Sequence, residues 1–278
     1  MCIGDLHGDY DALIISLRKA KVIRGRWNRW VGGDTIIVQM GDQVDGGGRG
    51  EDSKIVDSEM KIMKFLMKLH NQAIAKGGGV YCLLGNHELM NVMGDFRYVS
   101  KEGAKKFDGL KNRHLLFKPG GEIAIFLAQT RNCVLKVGDW LFVHGGINMN
   151  IAQKYTIDQM NNFMRLYLVG KGNLINNSVF EELYDGPDSL LWSREMSKDS
   201  YSDGEFREFY NIMKTLDVKG IVVGHTPQEN GINSICKGRI WRIDVGMSNA
   251  YGENSHKNIQ LLEIMKGNNG RDNIRIIK

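Results

Sequence analysis

Hydrophobic residues recur in runs of strand length, and each run ends in a polar, glycine-containing turn. Thr35 to Met40 leads into Gly41-Asp42, Val80 to Leu84 into Gly85-Asn86, Trp140 to Val143 into His144-Gly145-Gly146, and Gly220 to Val223 into Gly224-His225. A shorter run, Met1 to Ile3, precedes Gly4-Asp5. Between the first three turns the apolar spacing becomes helical, with Leu13 and Leu17 in one segment and Ile55, Met60, Met63 and Met67 in the next. This pattern predicts β-α-β-α-β, an α/β fold with a parallel sheet and crossover helices. Ligands of open parallel sheets bind beyond the carboxyl ends of the strands, so turns far apart in sequence are expected to meet at one site.

Two stretches read as additions to this frame, 89–133 and 148–217. Helical patterns are expected in them at Leu89 to Met93, Lys101 to Arg113, near Gln159 to Leu168 and near Glu205 to Leu216, walling the site. From Ile232 to Ile264 the chain alternates as short strands, with turns at Gly238 and Gly246, which predicts a second sheet. The expected organisation is one domain over residues 1–265 and an Asn/Gly-rich, frayed tail over 266–278.

Composition narrows the picture little. The longest purely apolar runs are far shorter than the ~18 residues of a membrane span, so no membrane partner is expected. The net charge of +5 favours anionic substrates but is too diffuse to mark a nucleic-acid groove. The four cysteines, Cys2, Cys82, Cys133 and Cys236, are far apart and form no C-x-x-C pair, so a reducing compartment is expected and neither a zinc ribbon nor a disulfide framework. No basic and apolar leader precedes Gly4, and the expected location is cytoplasmic. The first run is shorter than the typical ~5–6 residues of a strand, which points to a chain that begins further upstream. The oligomeric state is not specified by the sequence.

The chemistry lies in the turns. They present Asp5, His7, Asp42, Asp45, Asn86, His87, His144 and His225, a mixture of carboxylate, amide and imidazole that suits two borderline divalent cations. Any one of these has a plainer explanation: Gly41-Asp42 as a turn, His144 as a satisfied histidine beside a glycine pair, Asp45 as a turn residue ahead of three glycines. Coincidence at five strand ends is a much weaker explanation. His70, His114 and His256 lie outside such turns and read as structural or surface residues.

Five segments carry a family resemblance: Gly4-Asp5-Leu6-His7-Gly8, Gly41-Asp42-Gln43-Val44-Asp45, Gly85-Asn86-His87-Glu88, His144-Gly145-Gly146 and Gly224-His225-Thr226. In order, they resemble the signature blocks of calcineurin-like metallophosphoesterases, in the version used by PPP-type protein phosphatases. Trp30-Val31-Gly32-Gly33, Leu89-Met90-Asn91, Gly94 to Val99 and Asp244 to Ser248 are similar to the Shewanella-like phosphatase subgroup. The resemblance implies two packed mixed β-sheets flanked by helices, in α/β/β/α order. It implies two divalent ions, manganese favoured over iron or zinc, with Asp5 and His7 on the first, Asp42 bridging, and Asn86, His144 and His225 on the second. It further implies phosphate-monoester hydrolysis by a metal-bridging hydroxide, with His87 as general acid oriented by Asp45, and a phosphorylated protein or peptide as substrate. The absence of a phosphatase-like cysteine loop fits a route with no phosphoenzyme.

One departure concerns the substrate. The family normally follows its second block with an arginine that holds phosphate, whereas Asp45 is followed by Gly46-Gly47-Gly48 and then Arg49. Arg97 and Arg194 are the expected replacements, with Arg49 as a third candidate. Competing expectations are a dinucleoside-polyphosphate hydrolase, against which Asp45 and Glu88 speak, and a non-catalytic phosphate-binding or scaffold protein, against which the complete ligand set speaks.

Overall fold

A computed structural model describes residues 1–48, 57–267 and 270–278. The chain runs β1 (Cys2–Ile3), α1 (Tyr10–Lys19), a hairpin of β2 (Ile23–Arg24) and β3 (Arg29–Trp30), β4 (Ile36–Gln39), α2 (Glu59–Ile74), β5 (Gly79–Leu83) and α3 (Asn86–Met93). It continues through α4 (Lys101–Lys105), α5 (Leu110–Phe117), α6 (Glu122–Thr130), β6 (Arg131–Asn132), β7 (Val134–Val137) and β8 (Trp140–Val143). Then follow α7 (Met149–Lys154), α8 (Ile157–Leu168), α9 (Asn177–Phe180), α10 (Asp203–Thr215), β9 (Gly220–Val223), β10 (Asn233–Ile235), β11 (Ile240–Arg242), β12 (Leu261–Met265) and β13 (Asn273–Ile277).

The predicted β-α-β-α-β unit is present, with β1, β4, β5 and β6 pairing in parallel. Antiparallel β12 closes on β1 and β13 on β12, giving the order β13-β12-β1-β4-β5-β6. The second sheet has the order β10-β11-β9-β8-β7. Both sheets are mixed, since β8, β9 and β11 are parallel while β7 and β10 pair antiparallel to their neighbours.

Period-two alternation along β8 and β9 explains the layering. Phe142 and Val222 share one buried cluster with Ile37, Val38 and Met40 of the first sheet, whereas Leu141, Val143, Ile221 and Val223 join residues of α6, α7, α8 and α10 in the other. On the far side of the first sheet, α2 buries Ile62, Met63, Leu66, Leu69 and Ala73, a stripe at helical spacing. The arrangement is therefore α/β/β/α, as expected.

Three expectations change. The region from Lys101 to Arg113 is two helices, α4 and α5, because Gly109 takes φ 103° and breaks the helical run between them. Helix α6 is not announced by periodicity, since its Glu122-Ile-Ala-Ile-Phe-Leu-Ala run is nearly uniformly apolar and hides the helical period. The chain after Lys266 does not end as a frayed tail: β13 forms a five-residue ladder with β12, and Asp272 Oδ2 accepts the indole N–H of Trp140 at 2.8 Å. Among the described residues no helix is long and apolar enough to cross a membrane.

Candidate active site

The strand ends are tied to one another through their backbones. Leu6 and His7 both donate their N–H to Asp42 O, at 3.0 and 2.8 Å, and Gly8 donates to Gln43 O at 2.9 Å. Glu88 fixes the next pair of turns, because its carboxylate accepts the N–H groups of Asp42 (3.0 Å), Gln43 (2.7 Å), Val44 (3.2 Å) and Gly85 (2.7 Å). Such tight turns carry strain. His7, Asp42, Asp45 and His225 all lie at positive φ, between 42° and 67°, where a side chain costs of order 1 kcal/mol or more. Gly85 is required for close approach, since a Cβ there would run into the Asp42 carboxylate.

The side chains converge on Asp42. Asp42 Oδ2 lies 3.8 Å from His7 Nε2 and 3.9 Å from His87 Nε2, while Asp42 Oδ1 lies 3.4 Å from His144 Nε2. Two sets of potential ligand atoms, those of His7, Asp42 and His87 and those of Asp42, His144 and His225, each fall within 4.8 Å of one another, and Asp42 belongs to both. Asn86 Oδ1 is 3.1 Å from His144 Nε2 and so joins the second set. The ring nitrogens are oriented from behind: His144 Nδ1 donates to Met40 O at 2.7 Å and His7 Nδ1 to Val44 O at 3.3 Å, which leaves each Nε2 facing Asp42.

Asp5 approaches from the other side. Its Oδ2 accepts the N–H of His225 at 3.1 Å, while its Oδ1 packs against Gly224, where a Cβ would come within 2.7 Å. Asp5 Oδ1 and His225 Nε2 are buried without a hydrogen-bond partner. Buried polar atoms normally have one. Orphaned oxygen and nitrogen atoms beside a set of imidazoles and a carboxylate fit bound cations, which need such lone pairs.

Burial and the neighbouring charges set the protonation of the cluster. Burial and the nearby Asp244 push the Asp5 carboxyl well above its usual range. Burial opposes ionisation of Asp42 too, but His144, His87 and His7 hold its carboxyl well below the usual range. Burial disfavours the charged form of His144, yet Asp42 and Asp5 push it up to about 10, whereas burial and His144 push His225 down to about 2. His225 is therefore a neutral imidazole with an available lone pair.

Beside this cluster His87 Nδ1 lies 2.9 Å from Asp45 Oδ2. Asp45 is not a mere turn residue. Asn91 Nδ2 donates to both of its carboxylate oxygens at 2.9 Å, and its own N–H donates to Glu59 Oε1 at 2.8 Å. Behind them stands Arg113, 0% exposed, which donates to Glu59 at 2.7 and 2.9 Å, to Asn91 Oδ1 at 2.7 Å and to Asp45 Oδ1 at 3.3 Å. Its guanidinium lies against the rings of both Phe107 and Phe117.

The expected arginines divide. Arg194 Nη1 donates to Thr226 Oγ1 at 2.9 Å and reaches His225 O at 3.4 Å, which places it beside the metal-ligand candidates. Arg97 pairs with Asp95 at 2.7 Å, its side chain 68% exposed, so its guanidinium is not drawn into the cluster. Arg49 lies outside the described residues. Sequence reasoning missed an aromatic collar: Tyr98 against His87 at 4.9 Å, Tyr251 against His7 at 5.6 Å, and Trp192 against His225 at 6.0 Å between ring centroids. It also missed Glu59, Arg113 and the bracing role of Glu88. His70 and His256 are structural, bonded to Val80 O and Asp9, and all four cysteines are buried and free.

Two mixed sheets whose strand ends gather carboxylate, amide and imidazole ligands around a shared aspartate define a metal-dependent phosphoesterase. The chain belongs to the calcineurin-like phosphoesterase family, whose model matches residues 1–229. It is 31% identical to Shewanella-like protein phosphatase 2 of Arabidopsis thaliana, over 89% of this chain and 71% of that protein. It is 35% identical to Shewanella-like protein phosphatase 1 of Plasmodium berghei, over 89% of this chain and 67% of that one. Its fold matches the solved structure of a cold-active protein tyrosine phosphatase with a TM-score of 0.78 and 27% identity, over 98% of this chain and 77% of that one.

Proposed function

We propose that this metallophosphoesterase is a phosphoprotein phosphatase. The observation that carries the reading is Asp42, shared by two ligand sets, with His87 of the first set paired to Asp45. Asp5, His7, Asp42, Asn86, His144 and His225 would hold two divalent cations, and their mixed oxygen and imidazole donors suit manganese, iron or zinc, of which the family resemblance favours manganese. Such cations, when bound, withdraw charge from phosphoryl oxygens and acidify water.

The chain's own groups supply the rest. Asp45 accepts a hydrogen bond from Nδ1–H of a protonated His87, whose Nε2–H is the proton given to the leaving oxygen. Arg194, oriented by Thr226, is the residue of this chain best placed to hold a non-bridging phosphate oxygen. The collar of Tyr98, Tyr251 and Trp192 favours an aromatic ester, so phosphotyrosine is the preferred substrate over phosphoserine or phosphothreonine. The name of the structural neighbour supports the same choice.

A panel of phosphotyrosine, phosphoserine and phosphothreonine peptides, with a diadenosine polyphosphate as control, tests the reading on enzyme loaded with manganese, iron or zinc. Turnover of the phosphotyrosine peptide should exceed the others with manganese. Preference for the diadenosine compound would make the chain a dinucleoside-polyphosphate hydrolase, and no turnover with any metal would make it a phosphate-binding protein.

A further inference from the structure

A cavity of about 440 Å³ opens at the outer edge of the first sheet, where β6 is the last strand. Leu66, Met67 and His70 of α2, Val80 and Cys82 of β5, Arg131 of β6 and Arg165 of α8 are among its lining residues, and no aspartate or glutamate lines it. It shares no residue with the cluster around Asp42.

Arg131 is the unusual member. It is 3% exposed, and its guanidinium is satisfied only by neutral groups: Nη1 donates to Thr130 Oγ1 at 2.9 Å and Nη2 to Gln43 Oε1 at 2.6 Å. Nε is buried without a partner. Arg165 repeats the pattern, donating to Asn162 Oδ1 at 2.9 Å and Asn132 Oδ1 at 2.6 Å. Among the described residues neither arginine has a carboxylate within ion-pair distance. Guanidinium stays charged at any ordinary pH, and burying it without a counter-charge is costly. Arg113 in the same protein shows the usual remedy, a buried arginine matched to Glu59 and Asp45.

We propose that this cavity is a second anion site, which takes a phosphate-type oxyanion on Arg131 and Arg165. Two planar donors are suited to tetrahedral oxyanions, and the volume lies in the range of small-ligand pockets. Leu66, Met67 and Val80 provide an apolar wall for a small organic body on the anion. The occupant is thus either free phosphate or a small phosphorylated compound, and their shared chemistry is the dianionic head. Occupancy would be felt at the catalytic turn, because Gln43 follows Asp42 directly and holds Arg131 through its side chain. The proposal is independent of which phosphoester the enzyme hydrolyses.

Calorimetric titration of the metal-loaded enzyme with inorganic phosphate, and separately with phenylphosphonate, tests it. The expected result is an equivalent per chain beyond any held at the metal site, which survives Arg194→Ala and is weakened tenfold or more by Arg165→Gln, with the turnover of Arg165→Gln in phosphate-free buffer unchanged. Tighter binding of phenylphosphonate at this site identifies a body-bearing ligand, and equal or weaker binding identifies free phosphate. Arg131→Gln should abolish the same equivalent; if that variant fails to fold, Arg165→Gln decides. An isotherm that Arg165→Gln leaves unchanged, or no Arg165-dependent binding up to about 10 mM of either probe, overturns the proposal.

Discussion

Asp42 combines three demands in one residue: a left-handed backbone, a carboxylate kept ionised by three histidines, and an oxygen for each of two ligand sets. Asp42→Asn removes the charge while keeping the shape, and His225→Ala removes a neutral donor. Each is expected to lower metal content and to reduce phosphatase activity to near background with the fold intact, as metal analysis and circular dichroism would check. Two ions per chain and normal turnover in either variant would refute the assignment. His87→Asn should retain both metals, lose about 10²–10⁴ in rate on alkyl phosphates, and lose much less on nitrophenyl phosphate, whose leaving group needs little protonation. Equal losses on both substrates would make His87 a positioning group instead of an acid. At this scale the sequence was highly informative, because a ligand at a strand end needs glycine beside it, and that pairing is visible at Gly4-Asp5, Gly41-Asp42, Gly85-Asn86 and Gly224-His225. Arg97 misled because proximity along the chain says nothing about side-chain direction, and Asp95 two residues earlier claims it.

At the level of elements, the stretch expected to wall the site does more. Helix α5 sends Arg113 into the carboxylates that back His87, so the insertion braces the proposed acid. No periodicity announces this, since Arg113 sits at an ordinary position in a polar helix and its partners Glu59 and Asp45 come from other segments. Breaking a buried pair typically costs about 3–5 kcal/mol, so Arg113→Met should lower unfolding stability by that order in urea titrations. Arg113→Lys should recover part of the loss.

Across the whole molecule, the ligand candidates divide between two sheets. Asp5, His7, Asp42 and Asn86 follow strands of the first, and His144 and His225 follow strands of the second. Bound cations would therefore join the two layers. Removal by a chelator should lower the melting temperature by several degrees, and readdition of manganese should restore it, with the gain rising as the logarithm of the free ion concentration. A chelated protein with an unchanged melting temperature would mean that the ions contribute nothing to holding the sheets together. The layering was implied by the family resemblance and not by the strand runs, which left β8 and β9 in the first sheet and put β12 in the second, because a strand's partners are chosen by register and neighbours instead of by local pattern. Asp5 and His225 stand at nearly opposite ends of the chain, yet their groups meet at 3.1 Å. Contacts of such long sequence separation are slow to form, so the complete ligand set exists only after both sheets have docked. Metal uptake during refolding should then lag behind the recovery of helical signal, which makes ion capture a clock for the last step of assembly.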